Sequence, residues 1–189
     1  MIVGFLVAVS VKRSLSLALL AHIKLRESSM DQFIEKSIRV AVPLTTAYNQ
    51  WTQFEDFPRF MEGIEAVRQL DDTHLHWVAK IAGKQKEWDA EITEQTPDER
   101  IAWRSVGGAA NSGLVEFRPL GAQETEVRVK MGYEPEGVVE KAGDAIGAPE
   151  RRVEGDLERF KKFVESRGRE TGAWRGEVRG ATRTDRSRH

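Results

Sequence analysis

"HLHWVAKIAGKQKEWDAEI", residues 74–92, reads as two β-strands joined by a tight turn, and its pairing decides which side chains are buried. Glycine suits the first position of a two-residue hairpin turn because it accepts positive φ, so the turn is expected at Gly83-Lys84. Ala82 then faces Gln85, Ala79 faces Trp88, Trp77 faces Ala90 and Leu75 faces Ile92, which makes one face apolar. The other face pairs Lys80 with Glu87, Val78 with Asp89 and His76 with Glu91. Side chains alternate along a strand, so a slip of one residue would scramble both sets.

The same face extends outward. With "PDER" (97–100) as a four-residue loop, Ile92 faces Ser105 and the Trp88 face continues into Trp103. Carried through the following turns, it reaches Phe117, Val127, Val129, Met131 and Tyr133. Strands are expected at "FIEKSIRVAV", "GIEAVRQL", "HLHWVAKIA", "QKEWDAEITEQT", "IAWRSVG", "GLVEFRPL" and "TEVRVKMGYEP", seven in one antiparallel run. The register of the strand over 62–70 stays open.

Between the first two strands Pro43 opens a short helix, "LTTAYNQWTQF", since proline suits a first helical turn. Then comes "WTQFEDFPRFMEGIEAV" (51–67), dense in large apolar groups. Trp51 and Phe54 close the helix, Phe57-Pro58 makes a corner because the residue before proline resists helix, and Phe60 and Met61 sit in a second short turn. These aromatics are expected to seal one end of the core. After Glu136, apolar residues recur with helical spacing at Val139, Ala142, Ile146, Val153, Leu157, Phe160 and Val164. Pro149 is expected to kink or restart this helix and Gly168 to stop it. The plan is one long helix across a strongly bent antiparallel sheet.

The chain has 189 residues, 31% of them charged, a formal net charge of −1 and no cysteine. Disulfides and thiolate chemistry are therefore excluded, and the composition fits a reducing, cytoplasmic setting. Residues 1–29 and 169–189 each carry a net +3, which leaves −7 on the middle. Neither apolar run in residues 1–29 reaches the roughly 20 residues that cross a bilayer. They read as an extension ahead of the fold, an over-extended translation start before Met30, with a membrane-surface helix as the rival. The domain is expected over 30–168. Residues 169–189, rich in Arg, Gly, Ser and Thr with no apolar period, read as a basic disordered tail.

The element order, together with "FPRFMEGIEAVRQLDD", "WDAEITEQTPDERIAWRS" and "RRVEGDLERFKKFVESR", resembles the polyketide cyclase/dehydrase-like branch of the START-like (SRPBCC, helix-grip) superfamily, to which coenzyme Q-binding START-domain proteins also belong. The likeness covers about residues 32–167. It implies an α+β helix-grip fold: a bent seven-stranded sheet wrapped on a long C-terminal helix, with two short helices between strands 1 and 2. It also implies a cavity between sheet and helix, with Phe57, Phe60 and Met61 at its lip. The iron pattern of the superfamily's oxygenases, usually two histidines and a carboxylate, is not visible here.

The titratable groups read as surface chemistry. His76 projects outward opposite Glu91, and Glu87, Asp89 and Glu91 make a charged outer row near Lys80 and Arg104, so no metal or cofactor site is assigned. "GGAANSG" (107–113) lacks the lysine and helix of a phosphate loop. The expected ligand wall is Trp77, Trp88, Trp103, Phe117 and Met131 with Phe57, Phe60 and Met61, and Ser105 and Tyr133 are its orienting hydroxyls. The function expected is binding of an apolar small molecule: a lipid, isoprenoid or aromatic polyketide-like compound. No specific nucleic acid partner and no transmembrane segment are expected. One alternative is a metal-free cyclase/dehydratase with Tyr133 as acid, or Arg104 if the register is shifted. A second is an interaction protein that recruits a partner through the basic tail.

Overall fold

The computed structural model describes residues 33–81, 83–107, 111–133 and 148–180. The chain divides after Gln32, and the first unit, with everything expected of residues 1–29, lies outside the described residues. So do the helical spacing over 136–147, Ala82, residues 181–189 and the side chain of Tyr133.

Seven antiparallel strands follow the order β1-β7-β6-β5-β4-β3-β2, with β1 (Phe33–Val40) and β2 (Ile64–Gln69) at the two edges. Between them lie β3 (His74–Ile81), β4 (Lys84–Thr96), β5 (Arg100–Gly107), β6 (Asn111–Gly121) and β7 (Glu124–Tyr133). Helix α1 (Leu44–Trp51) and a 3-10 helix (Phe54–Arg59) connect β1 to β2, and helix α2 (Ala148–Arg167) packs on the sheet.

The apolar period of α2 explains its docking. Val153, Leu157, Phe160 and Val164 recur every three or four residues and are buried against Ile34, Val40, Trp51 and Phe60. A fully buried phenylalanine such as Phe160 contributes roughly 2–3 kcal/mol of transfer free energy. Gly168 ends the helix at φ +63, its N–H bonded to the Val164 carbonyl. Pro149 sits in the first turn, where no intrahelical donor is required of it.

The expected faces hold, although two turns differ. Ile81 pairs with Lys84, so the β3–β4 turn comes one residue earlier than expected, with Gly83 at φ +78. Trp77 therefore faces Trp88, Leu75 faces Ala90 and His76 faces Asp89. Moving the turn by one residue shifts the pairing by two, which preserves the alternation. The β4–β5 loop has three residues, Pro97 to Glu99, not four. That change alone would turn Trp103 outward, but a bulge between Ile92 and Glu94 restores it, and Ile92 faces Trp103 while Ser105 faces Ala90. The open register of β2 is now fixed: Val67 faces Trp77, with a bulge between Ile64 and Ala66.

Two further expectations are corrected. Phe57-Pro58 is not a corner. Pro58 lies inside the 3-10 helix, where flanking bonds, Asp56 N–H to Gln53 and Phe60 N–H to Phe57, carry the turn past its missing donor. The larger correction concerns residues 169–180, which are ordered against the domain. Strand β4 outruns β3, and β8 (Val178–Arg179) pairs with Glu94 and Gln95 beyond the end of β3. Further back, the Gln50 amide exchanges bonds with Thr171: Nε2 donates to Oγ1 (3.1 Å), and the Thr171 N–H donates to Oε1 (3.0 Å). The Trp174 N–H donates to Thr52 Oγ1 at 3.1 Å. Arg175 donates to Asn49 and to both carboxylate oxygens of Asp98, and its guanidinium lies 5.7 Å from the centre of the Tyr48 ring. Buried polar groups on α1 need partners, and this segment supplies them.

Candidate functional site

The concave side of the sheet changes character along its length. At the α1 end it is sealed. Tyr48, Ile101, Val115 and Val127 are at most 1% exposed there. Phe117 packs edge-on to Tyr48 (5.5 Å) and Trp51 (6.1 Å). Phe57 and Phe60, expected at a lip, lie inside this core. Phe60 contacts Phe160 at 5.3 Å and Phe57 at 5.1 Å. Met61 packs on the core and is partly buried.

Towards the β3–β4 turn the burial is incomplete. Trp77 and Trp88 are half-buried, stacked at 5.7 Å with their planes 8° apart, and Phe57 meets Trp77 edge-on at 5.7 Å. Phe57 is thus a floor between the sealed core and the stacked pair. Trp103 and Met131 are also only partly buried. The Trp103 ring lies directly against β6 at Gly113, where an added Cβ would come within 2.2 Å of Cζ2. Only glycine permits that approach. Met131 faces Gly113 from β7 and Ile34 from β1. Ile81, on the same face, is 39% exposed at the strand end.

Of the expected hydroxyls, Ser105 is engaged: its Oγ accepts the Asn111 backbone N–H at 3.0 Å. Tyr133 stands opposite Asn111 in the register. The structure therefore brings together Trp77, Trp88 and Phe57, and separately Trp103 and Met131, while Phe60 and Phe117 belong to the closed core.

Sequence reasoning missed Glu150. It continues the stripe of Val153, Leu157, Phe160 and Val164 back by one turn, so it faces the sheet from the start of α2. Among the described residues, neither its Oε2 nor the buried Trp77 indole Nε1 has a hydrogen-bond partner. A carboxylate three residues before Val153 and seven before Leu157 was the available signal.

The outer face is occupied by ion pairs. His76 Nδ1 lies 2.7 Å from Asp89, His74 pairs with Asp71, and Arg104 donates to Glu91 at 2.8 Å. Asp71 is held well below the usual carboxylate range, chiefly by the Thr73 backbone N–H and also by His74. Arg104 thus points away from the concave side. Among the described residues no group of three acidic or histidine side chains is placed to hold a metal ion. None of their helices is long and apolar enough to cross a membrane. A polar recess of about 600 Å³ lies where β8 meets β4 and β5, lined by Glu94, Arg100, Glu177 and Arg179, whose charges pair with one another.

A curled sheet gripping a C-terminal helix, with short helices between the first two strands, is the helix-grip architecture of the START-like superfamily. The family model described as polyketide cyclase / dehydrase and lipid transport matches residues 40–162, and the chain belongs to that family. It is 56% identical over 146 residues to an uncharacterised 17.2 kDa protein of Streptomyces lincolnensis encoded in the melC2–rnhH intergenic region, a match that spans 77% of this chain and 97% of that protein. The crystal structure of DR_A0006 from Deinococcus radiodurans is similar at 31% identity and TM-score 0.58, over 71% of this chain and 98% of that one. A START superfamily protein of Mycobacterium smegmatis shares the fold at 18% identity and TM-score 0.56, over 71% and 95%.

Proposed function

We propose that this protein binds an apolar small molecule, a lipid, isoprenoid or aromatic polyketide-like compound, on the concave side of the sheet beneath the first turns of α2. One observation carries the reading: on the concave side the stacked Trp77–Trp88 pair is half-buried, while the aromatic cluster at the α1 end is closed to water. Large aromatic faces left partly open inside a concave surface favour an apolar ligand, at about 25 cal/mol per Å² removed from water before ordering costs. Phe57 forms the floor, and Trp103 and Met131 form the wall. Lipid transport in the family description supports the same reading.

The test is equilibrium dialysis of the purified protein against naphthalene, with solvent extraction and mass analysis of whatever co-purifies. Saturable binding near one molecule per chain, weakened by Trp88→Ala, is the expected result. Binding that neither saturates nor responds to Trp88→Ala would remove the proposal.

A second reading, a cyclase or dehydratase, has the family description and the carboxylate of Glu150 in its favour, since positioning plus one acid–base group can suffice for such chemistry. Turnover of a poly-β-keto substrate that survives Glu150→Gln would exclude Glu150 from that role. Recruitment through the basic tail has less support, because Arg175 and Arg179 are engaged by Asp98 and Glu177.

A further inference from the structure

The segment that follows α2 is held by specific side chains of the domain. Glu170 accepts from Asn49 Nδ2 at 2.9 Å, and Thr171 exchanges bonds with the Gln50 amide. The Arg175 guanidinium donates to both carboxylate oxygens of Asp98 and to Asn49 Oδ1, beside the Tyr48 ring. A carboxylate fork, an amide oxygen and an aromatic face together select a guanidinium over an ammonium. Val178 and Arg179 then add a strand to the end of β4, the way extended peptides join a sheet.

The two sides of this contact differ. On the domain side Tyr48, Asn49, Gln50, Thr52 and Gln95 are at most 4% exposed. On the other side no residue from 169 to 180 is buried, and Thr171, Arg175, Glu177 and Arg179 are exposed. Polar bonds and a two-residue ladder hold the segment, without apolar core of its own, so it can leave while the domain stays folded. Its hinge is Gly168, whose φ of +63 turns the chain off α2. A Cβ added there meets no atom within 4 Å, so the turn rests on backbone conformation alone. A single residue, Arg169, separates this hinge from the first anchor, Glu170.

We propose that Asn49, Gln50, Asp98 and the end of β4 form a peptide-docking site that takes residues 170–179 of a second copy of this chain as well as its own, so that two chains pair by swapping these segments. The bonds above define the occupant: a carboxylate and a hydroxyl side by side, an arginine four residues on, then a short strand. Each bond made within one chain is remade between two, so the swap costs little beyond the entropy of association. With Gly168 in a helical conformation, α2 runs on and carries the segment away from its own domain.

Charge reversal tests this on the full chain. Asp98→Arg and Arg175→Asp are made in separate chains. Alone, each variant sets like charges face to face. Each should be monomeric by light scattering, with faster hydrogen exchange at the Thr171 and Trp174 amides and unchanged exchange in β6 and β7. In an equimolar mixture each chain supplies the segment that the other's site requires, so the mass should double and protection at Thr171 and Trp174 should return. A mixture that stays monomeric, a variant that dimerises equally well alone, or full protection of both amides in the single variants would overturn the inference. A second variant reads the hinge. Alanine disfavours positive φ, so Gly168→Ala should raise the dimer share several-fold over the natural chain at about 1 mM, the scale on which a short tether competes. A share that does not rise overturns the inference as well.

Discussion

The Tyr48 hydroxyl accepts a hydrogen bond from Gln95 Nε2 at 3.0 Å, with both side chains closed to water. This bond joins α1 to the far end of β4, the same stretch that β8 pairs with. Burial raises the tyrosine above its ordinary titration range, against the lowering effects of Gln95 and Arg175. Tyr48→Phe leaves the Gln95 amide without its partner, and a loss of about 1–3 kcal/mol in denaturant unfolding is expected. The near-isosteric change keeps the packing with Phe117, so an unchanged midpoint would show that the bond contributes nothing.

Gly113→Ala drives a methyl group into the Trp103 ring. The indole must leave β6, and overpacking of this kind costs about 1–3 kcal/mol. Because the displaced ring moves onto the concave face where binding is proposed, naphthalene binding should fall together with stability. A red or blue shift in tryptophan emission reports the movement, and an unchanged spectrum would show that the ring has not moved.

Truncation after Gly168 removes every partner that residues 170–180 give to Asn49, Gln50 and Thr52. Those groups regain water, so the cost is expected to be modest, on the order of 1–2 kcal/mol. Hydrogen exchange at the Gln95 amide should accelerate more than exchange in β6 and β7, since β8 covers only the end of β4. Uniform acceleration throughout the sheet would mean that the segment stabilises the whole domain.

Glu170 gives the docked segment a pH dependence. Desolvation pushes its carboxyl up, but the bond from Asn49 Nδ2 (2.9 Å) and further bonds outweigh it, and the net shift is downward from 4.5. A depressed folded value favours the ionised form, so its contribution is present above 4.5 and is lost as the pH falls through the folded value. Exchange at the Thr171 and Trp174 amides should therefore rise, relative to β6, as the pH falls below about 4.5. Glu170→Gln should flatten that response, and a slope that persists in the variant would assign it to another group.

Much of the sheet was legible because burial recurs every second residue. Leu75, Ile92, Phe117 and Val127 lie on the face where alternation put them, even though the β3–β4 turn falls one residue earlier. Strand β2 was not legible, because its bulge between Ile64 and Ala66 breaks the period. Residues 169–180 gave no local signal, since their order comes from unpaired backbone on β4 and buried amides on α1, both remote in sequence. Of the candidate site, the tryptophans could be assigned to a face, but which aromatics stay half-buried and which sit in the closed core depends on where α1 and the 3-10 helix dock. Glu150 escaped notice because helical stripes are searched for apolar residues, and a carboxylate on one reads as an interruption.

The short β4–β5 loop and the bulge beside it behave as two errors that cancel. Alone, the three-residue loop would point Arg104 inward and Trp103 into solvent; alone, the bulge would do the same to a strand entered from a four-residue loop. Length changes at these two places are therefore coupled. A homologous chain that gains a residue between Thr96 and Arg100 can keep its tryptophan wall by losing one near Thr93. Single insertions at either place amount to swapping the inside and outside of half the sheet.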